Sequence, residues 1–384
     1  MSTNLRIALV HDWLLGVGGA ENVLKELHEI FPEAPVYVLF YNEKFVKEFL
    51  PKTEIRASFL QKHYRRLKNH KLLMPFMPIA VESFDFADFD IVISSSAYFA
   101  KGLIVKPRTV HICYCHSPTR QLWDWHIEYK TESKRTPRIA TSLLQHFVRI
   151  WDRHASARVD YFIANSKNIS ERIKKYYQRD SSVIYPPVNI LNYKTITSPD
   201  AFGSGSRQNR RDYQLPITDY FLVVSRLFPH KNVEIAVRAF NKLGWPLVII
   251  GDGPEKNRLK KMAKNNIQIL GFIPDNKLKE YYTNCLAFIM PQEEDFGITP
   301  IEAMSFGKPV LALKRGGALE YIKSGVNGEF FTDPHSDVLA YNAMLLKKNI
   351  KKYDPEEIKR TAERFSKNVF RNKILNLTAQ TTQI

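Results

Sequence analysis

At 384 residues the chain exceeds the usual size of one domain, so two hydrophobic cores are expected. Its 44% hydrophobic and 25% charged content is that of a folded globular protein and excludes wholesale disorder. The 56 Lys and Arg against 39 Asp and Glu leave +17, which calls for an anionic partner: nucleic acid, an acidic membrane surface or a phosphorylated substrate.

The first residues lead straight into an apolar strand with no basic-then-apolar leader, which reads as a cytoplasmic protein. Apolar runs such as 247–250 and 287–290 are strand-sized, well short of the ~20 residues a membrane-spanning helix needs. Cys113, Cys115 and Cys285 are odd in number, and two alternate along one strand. They read as small core residues, not as a disulfide framework or a metal site.

In chain order, strands are expected over 5–10, 36–39, 91–94, 110–115 and 162–164, with a first helix over 20–30. Ser166 is placed to cap a helix running to residue 177. Tyr185-Pro186-Pro187-Val188-Asn189 cannot continue a helix, and 198–212 is rich in Ser, Gly, Asn and Arg, the composition of a linker. The alternation then restarts, with strands over 220–225, 247–250, 267–270, 287–290 and 309–313. Helices over 233–243, 275–283 and 300–306 fall between them, and polar, basic helices close the chain from about residue 336. Strands alternating with helices imply α/β architecture, parallel sheets covered on both faces. Two such sheets place a ligand cleft where their strand C-termini face each other.

The strongest local signal is Glu293-Glu294-Asp295-Phe296-Gly297-Ile298-Thr299-Pro300-Ile301-Glu302-Ala303-Met304. Thr299 as N-cap and Pro300 in first helical position would aim free N–H groups at the preceding loop, an anion site. Glu294 and Glu302, eight apart, bracket that site. Carboxylates would repel a phosphate, so they suit hydroxyls. Thr299-x-x-Glu302 also reads as a capping box, in which Glu302 only satisfies a backbone N–H. After the strand at 220–225, Arg226 and Lys231 offer a planar fork and a point charge to a diphosphate. Gly16-x-Gly18-Gly19-Ala20-Glu21 is a glycine turn at a helix N-terminus, but not the dinucleotide fingerprint. His116 ends a strand in His111-Ile112-Cys113-Tyr114-Cys115-His116-Ser117-Pro118-Thr119-Arg120. Asp88-Phe89-Asp90 formally matches a metal-binding Asp-x-Asp, yet it introduces a buried strand and reads as a turn.

The Glu293–Met304 string resembles the Glu-x7-Glu motif of the retaining family 4 glycosyltransferases, which have the GT-B fold of two facing Rossmann-like domains. The pair Arg226 and Lys231 is similar to that family's diphosphate-binding cations, in the right order along the chain. The resemblance implies an acceptor-side domain over 1–195, a linker over 196–214 and a nucleotide-sugar domain over 215–365. It also implies a C-terminal helix, 366–384, packing back on the first domain. Glu294 would orient the sugar hydroxyls and support charge at the anomeric carbon, and Glu302 would hold the ribose. Gly18 and Gly19 resemble the loop near the donor phosphates, and His116 a sugar-contacting histidine that could also move a proton. Phe272 and Ile273 would offer backbone atoms to the nucleobase. Phe296, Gly297, Ile298 and Thr299 would complete the donor pocket, which Arg315-Gly316-Gly317-Ala318-Leu319-Glu320 would also line.

Ser117-Pro118-Thr119-Arg120-x-Leu122-Trp123-Asp124 resembles a bacterial subgroup that builds surface polysaccharide and lipopolysaccharide, many of whose members are mannosyltransferases. The implied reaction is a retaining transfer of a hexose, from GDP-mannose or a UDP-sugar, onto a lipid-linked or polysaccharide acceptor. No metal and no other cofactor is expected, because cations and helix N–H groups can neutralise the leaving diphosphate. A double displacement with a carboxylate nucleophile stays open. Residues 56–71 hold six Lys or Arg and two His without an acid, with Phe59, Leu60, Tyr64 and Leu67 near helical spacing. This reads as a basic amphipathic helix, either packed on its own domain or lying peripherally on the anionic inner face of the plasma membrane. A sugar-nucleotide epimerase on the same fold is the nearer rival. A nucleic-acid binder is the remoter one, since no reader motif accompanies the charge.

Overall fold

The computed structural model describes residues 5–124, 138–190 and 219–381. The linker expected over 196–214 lies outside the described residues. The chain divides into two compact units, Met1–Pro187 with Asn368–Ile384, and Val188–Lys367. Val188 already belongs to the second unit, where its N–H donates to Phe365 O at 2.8 Å.

The first unit is one parallel sheet of seven strands: β1 (Ile7–His11), β2 (Val36–Val38), β3 (Ile55–Ala57), β4 (Ile91–Ser96), β5 (Val110–Cys115), β6 (Tyr161–Ala164) and β7 (Ser182–Val183). Its order is β3-β2-β1-β4-β5-β6-β7, so the direction of winding reverses between β1 and β4. Its helices are α1 (Gly19–Ile30), α2 (Glu43–Phe49), α3 (Leu60–Leu67), α4 (Met77–Glu82), α5 (Arg138–Ala157) and α6 (Lys167–Tyr177). Alternation along the strands feeds two cores. Leu9, Ile93, Ile112 and Tyr114 pack with Val23, Leu24 and Leu27 of α1. Ala8, Val10 and Val92 face Met77, Ala80 and Val81 of α4. Ser166 caps α6, accepting from Ile169 N–H at 3.1 Å.

The second unit repeats the plan with six parallel strands in the order β10-β9-β8-β11-β12-β13. In chain order it contains β8 (Tyr220–Val224), α7 (Val233–Leu243), β9 (Leu247–Ile250), α8 (Lys256–Met262), β10 (Ile267–Gly271), α9 (Asp275–Asn284) and β11 (Cys285–Met290). There follow α10 (Ile298–Ser305), β12 (Val310–Leu313), α11 (Ala318–Tyr321), β13 (Gly328–Phe331), α12 (Ser336–Lys348) and α13 (Pro355–Glu363). The last helix, α14 (Lys367–Thr381), returns to the first unit. Phe370 and Ile374 join the α1-side core, and Arg371 pairs with Glu26 and Glu29 of α1. The three cysteines are free and buried.

Two sequence expectations need correction. Residues 56–71 are not one helix: Arg56 lies in β3, α3 covers only Leu60–Leu67, and a 3-10 turn, His70–Phe76, follows. Leu60 is buried, Tyr64 stacks on Phe40 at 4.8 Å, and Gln61 accepts from Tyr41 N–H, so α3 turns a face to its own unit. The edge strands β3, β7 and β13 escape the apolar-run criterion because each has only two to four residues and is partly exposed.

The segment 117–124 is held from beneath by a buried cluster. Asp152 on α5 accepts from Thr119 Oγ1 (3.1 Å), Trp123 Nε1 (2.9 Å) and Tyr177 Oη (2.8 Å), and pairs with Lys101 Nζ at 2.5 Å. Lys101 and Asp152 are each 1% exposed. Removing the carboxylate strands a cation and three hydroxyl or indole donors. Asp152→Ala is expected to destabilise the first unit by about 3–5 kcal/mol, read as the shift of its unfolding midpoint in urea; a loss under about 1 kcal/mol would contradict the buried pair.

Candidate active site

In an open parallel sheet the loops leaving neighbouring strands diverge where the winding reverses, leaving a crevice at the strand C-termini. In the second unit this point lies between β8 and β11, and both charged motifs sit there. After β8 the chain passes Arg226 and a short 3-10 turn, Pro229–Lys231, before α7. The Lys231 side chain is 10% exposed and its Nζ lies 2.6 Å from Glu294 Oε1, just beyond β11. Gln292, buried at the end of the same strand, donates its Nε2–H to Glu294 Oε1 at 2.9 Å. Arg226 behaves differently. It is exposed, its guanidinium stands 5.8 Å from the Phe228 ring centre, and no acid pairs with it among the described residues. One cation is thus built in and the other held at the surface.

Two loops fix this pair from behind. Gly317 N–H donates to Glu294 O at 2.9 Å, so the 315–320 segment supports the acid's backbone. Leu227 N–H donates to Asp252 O, and Glu255 N–H to Leu227 O, tying the Arg226 loop to Gly251-Asp252-Gly253-Pro254. At Gly251, φ is +142° and a Cβ would stand 1.8 Å from Ser225 O, so only glycine permits this approach.

The helix after Glu294 begins earlier than its sequence suggests. Gly297, at φ +90°, is the N-cap of α10, and Thr299 and Pro300 lie inside the first turn. No side chain caps this helix, so the capping box does not form. Glu302 instead accepts from Tyr282 Oη at 2.8 Å. The first N–H groups of α10, at Ile298 and Thr299, have no intrahelical acceptor, and the helix end carries positive partial charge. The Phe296 side chain is core: 3% exposed, it packs edge-on against Tyr321 at 5.7 Å and Phe365 at 5.5 Å. Its contribution to a pocket is therefore limited to backbone. Beyond β10, Phe272 is 70% exposed while Ile273 is 2% exposed.

The first unit has its own switch point, between β1 and β4. Asp12, missed at the sequence level, accepts from the N–H groups of Ala97, Tyr98, Phe99 and Ala100 at 2.6–3.0 Å. It thereby freezes the loop leaving β4. His116 follows β5, with its Nε2 2.8 Å from Ser95 Oγ. Burial, with His11 beside it, pushes the His116 imidazole down to about 3, so it is neutral at physiological pH. Gly18 is the N-cap of α1 and Gly19 its first residue. Asp88 and Asp90 lie at the other end of the sheet, ahead of β4, where Asp90 accepts from Arg6 N–H at 2.9 Å. They are a turn, remote from the strand C-termini.

Residues 17–190 match the family described as Glycosyltransferase Family 4, and residues 207–368 match Glycosyl transferases group 1. The chain belongs to the family 4 glycosyltransferases. This glycosyltransferase is 24% identical to the alpha-1,3/1,6-mannosyltransferase ALG2 of Candida glabrata, over 83% of this chain and 78% of that one. It is 27% identical to the O-antigen chain mannosyltransferase RfbU of Salmonella typhimurium, over 40% of this chain and 42% of that one. The crystal structure of Anabaena Alr3699/HepE in complex with UDP-glucose shares the GT-B fold. Its TM-score is 0.69, with 20% identity over 98% of this chain and all of that one.

Within the glycosyltransferase's second unit Glu302 has an unusual environment. Burial raises its carboxyl above the ordinary range; the Tyr282 hydroxyl opposes this, and Asp275 adds to it. An acid with a raised folded-state pKa is unpenalised below the ordinary carboxylate value. Stability is lost as pH rises from there, and the loss is complete above the folded pKa. Glu302→Gln keeps an acceptor for Tyr282 and removes this loss. The second unit's melting temperature should therefore rise at pH 7, by roughly 2–4 °C for each kcal/mol relieved, and match wild type near pH 4. An equal or lower value at pH 7 would show that the carboxylate is well accommodated.

Proposed function

We propose that the enzyme performs a retaining, metal-independent hexosyl transfer, with mannose from GDP-mannose as the donor and a lipid-linked or polysaccharide acceptor. The observation that carries this reading is the Lys231–Glu294 contact at the switch point, beside exposed Arg226 and the N-terminus of α10. Anionic phosphate suits the cations and helix N–H groups, and polar sugar suits the carboxylate. Arg226 and Lys231 bind the diphosphate and stabilise it as it leaves, which is the task a divalent ion would otherwise perform. Glu294 orients the sugar hydroxyls and supports charge at the anomeric carbon, and Glu302 takes the ribose. The backbone at Phe272 and Ile273 meets the base, and that of Phe296, Gly297, Ile298 and Thr299 lines the pocket. His116 contacts the transferred sugar, and Gly18 and Gly19 approach it or the phosphates. Mannose is supported by the names of the ALG2 and RfbU relatives.

A UDP-sugar donor is the second reading, favoured by the UDP-glucose complex of the structural neighbour. Thermal-shift titration separates them: GDP-mannose is expected to raise the second unit's melting temperature more than UDP-glucose, and the reverse order would transfer the assignment. In transfer assays, Glu294→Ala and Arg226→Ala should each lower kcat/KM by on the order of 10²–10³-fold, while excess EDTA leaves the wild-type rate unchanged. Activity within a few-fold of wild type would remove those residues from the site. Collapse in EDTA reversed by Mn²⁺ would remove the metal-free mechanism.

A peripheral position on the inner face of the membrane fits the acceptor class. No helix among the described residues is long and apolar enough to cross a bilayer. Phe59, Leu67, Leu72, Phe76 and Ile79 are exposed, and Lys62, Arg66, Lys68 and Lys71 are exposed among them. Apolar side chains with interspersed cations suit an anionic lipid surface. Co-sedimentation with phosphatidylglycerol-containing vesicles, but not with phosphatidylcholine alone, is expected. Arg66→Glu and Lys68→Glu should each weaken it by at least about fivefold. Equal binding to both vesicles, or to neither, would exclude this surface as the anchor.

A further inference from the structure

At the C-terminal ends of β1, β4 and β5, three polar side chains share one face of the sheet. Register sets this: His11 pairs with Ser95 and Ser95 with Tyr114, and His116 stands two residues beyond Tyr114 on the same side. Ser95 Oγ lies 3.1 Å from His11 Nδ1 and 2.8 Å from His116 Nε2. The other nitrogen of His11, Nε2, lies 3.8 Å from Glu21 Oε1, in the first turn of α1. The second Glu21 oxygen covers Gly18, where a Cβ would meet it at 2.7 Å.

A serine hydroxyl carries one proton, so between two imidazoles it donates to one and accepts from the other. A neutral imidazole carries its proton on one nitrogen only. Glu21 sets the direction. In the neutral form of His11, a carboxylate on the Nε2 side, 3.8 Å away and beyond hydrogen-bond distance, favours N–H on that nitrogen and leaves Nδ1 to accept from Ser95 Oγ–H. The Ser95 lone pair then accepts from His116 Nε2–H, and His116 Nδ1 is left as a bare acceptor. No described residue bonds that atom.

We propose that Glu21, His11 and Ser95 form a proton-ordering relay that locks His116 in its Nε2–H tautomer and presents Nδ1 as an acceptor for a donor-sugar hydroxyl. The inference rests on the reading of His116 as a sugar contact and deepens it. The first three are positioning residues, and His116 is a hydrogen-bond acceptor, not an acid. It also bears on Gly18, where a Cβ would stand 2.7 Å from the second Glu21 oxygen and make that side chain shift.

Nitrogen NMR of the full chain with ring-¹⁵N histidine, assigned through His116→Gln, tests the relay without any ligand. His116 should show a protonated Nε2 and a bare Nδ1. In Ser95→Ala and in Glu21→Ala the His116 signals should move towards an average of both tautomers. Activity in each should fall by on the order of tenfold, as for other residues that orient a histidine. A protonated Nδ1 in the unaltered protein, or an unmoved tautomer in both variants, overturns the relay. The two readings fail separately: unimpaired transfer by His116→Ala removes the sugar contact, whereas impaired transfer with a protonated Nδ1 removes the relay alone.

Discussion

Burying an ammonium group costs several kcal/mol unless a carboxylate meets it, and the second unit is arranged around one such meeting. Lys231 and Glu294 are 63 residues apart and touch because β8 and β11 are adjacent in the sheet. Three neighbouring features support that contact. Gln292 donates to the same carboxylate oxygen, Gly317 fixes the acid's carbonyl, and the Gly251–Pro254 turn anchors the loop that carries the lysine. Both long side chains are thereby ordered in advance.

The first unit meets the same topological problem with a carboxylate that takes backbone donors. Its reversal point is held by Asp12, which takes four backbone N–H groups, and by hydroxyl and imidazole groups in line. Ordered polar groups at a sheet's C-terminal edge are useful when they need no rearrangement during reaction. In both units the strands supply precision and the loops supply chemistry. The exception is Arg226, whose guanidinium stays exposed over the Phe228 ring.

The alternation of strands and helices was legible because central parallel strands are buried on both faces and read as apolar runs. Short edge strands such as Ile55–Ala57, with Arg56 exposed in the middle, carry no such run. Lys231, Glu294, Glu302 and His116 stand out as candidates in the sequence because each lies within a recognisable local string. Tyr282, Asp12, Ser95 and His11 do not, since their contacts join residues 20 to 88 apart in different elements. Thr299 was misplaced as a cap because Gly297 turns the chain into the helix without any side-chain help.

Recognition of a diphosphate by Arg226 and Lys231 is the central requirement of the proposed site. Calorimetric titration of the wild type and of Arg226→Ala/Lys231→Ala with GDP, GMP, UDP and UMP measures this directly. The account predicts that the wild type prefers a diphosphate over its monophosphate, and that the double variant loses this preference while still binding the base. An unchanged ratio of diphosphate to monophosphate affinity in the variant would contradict it.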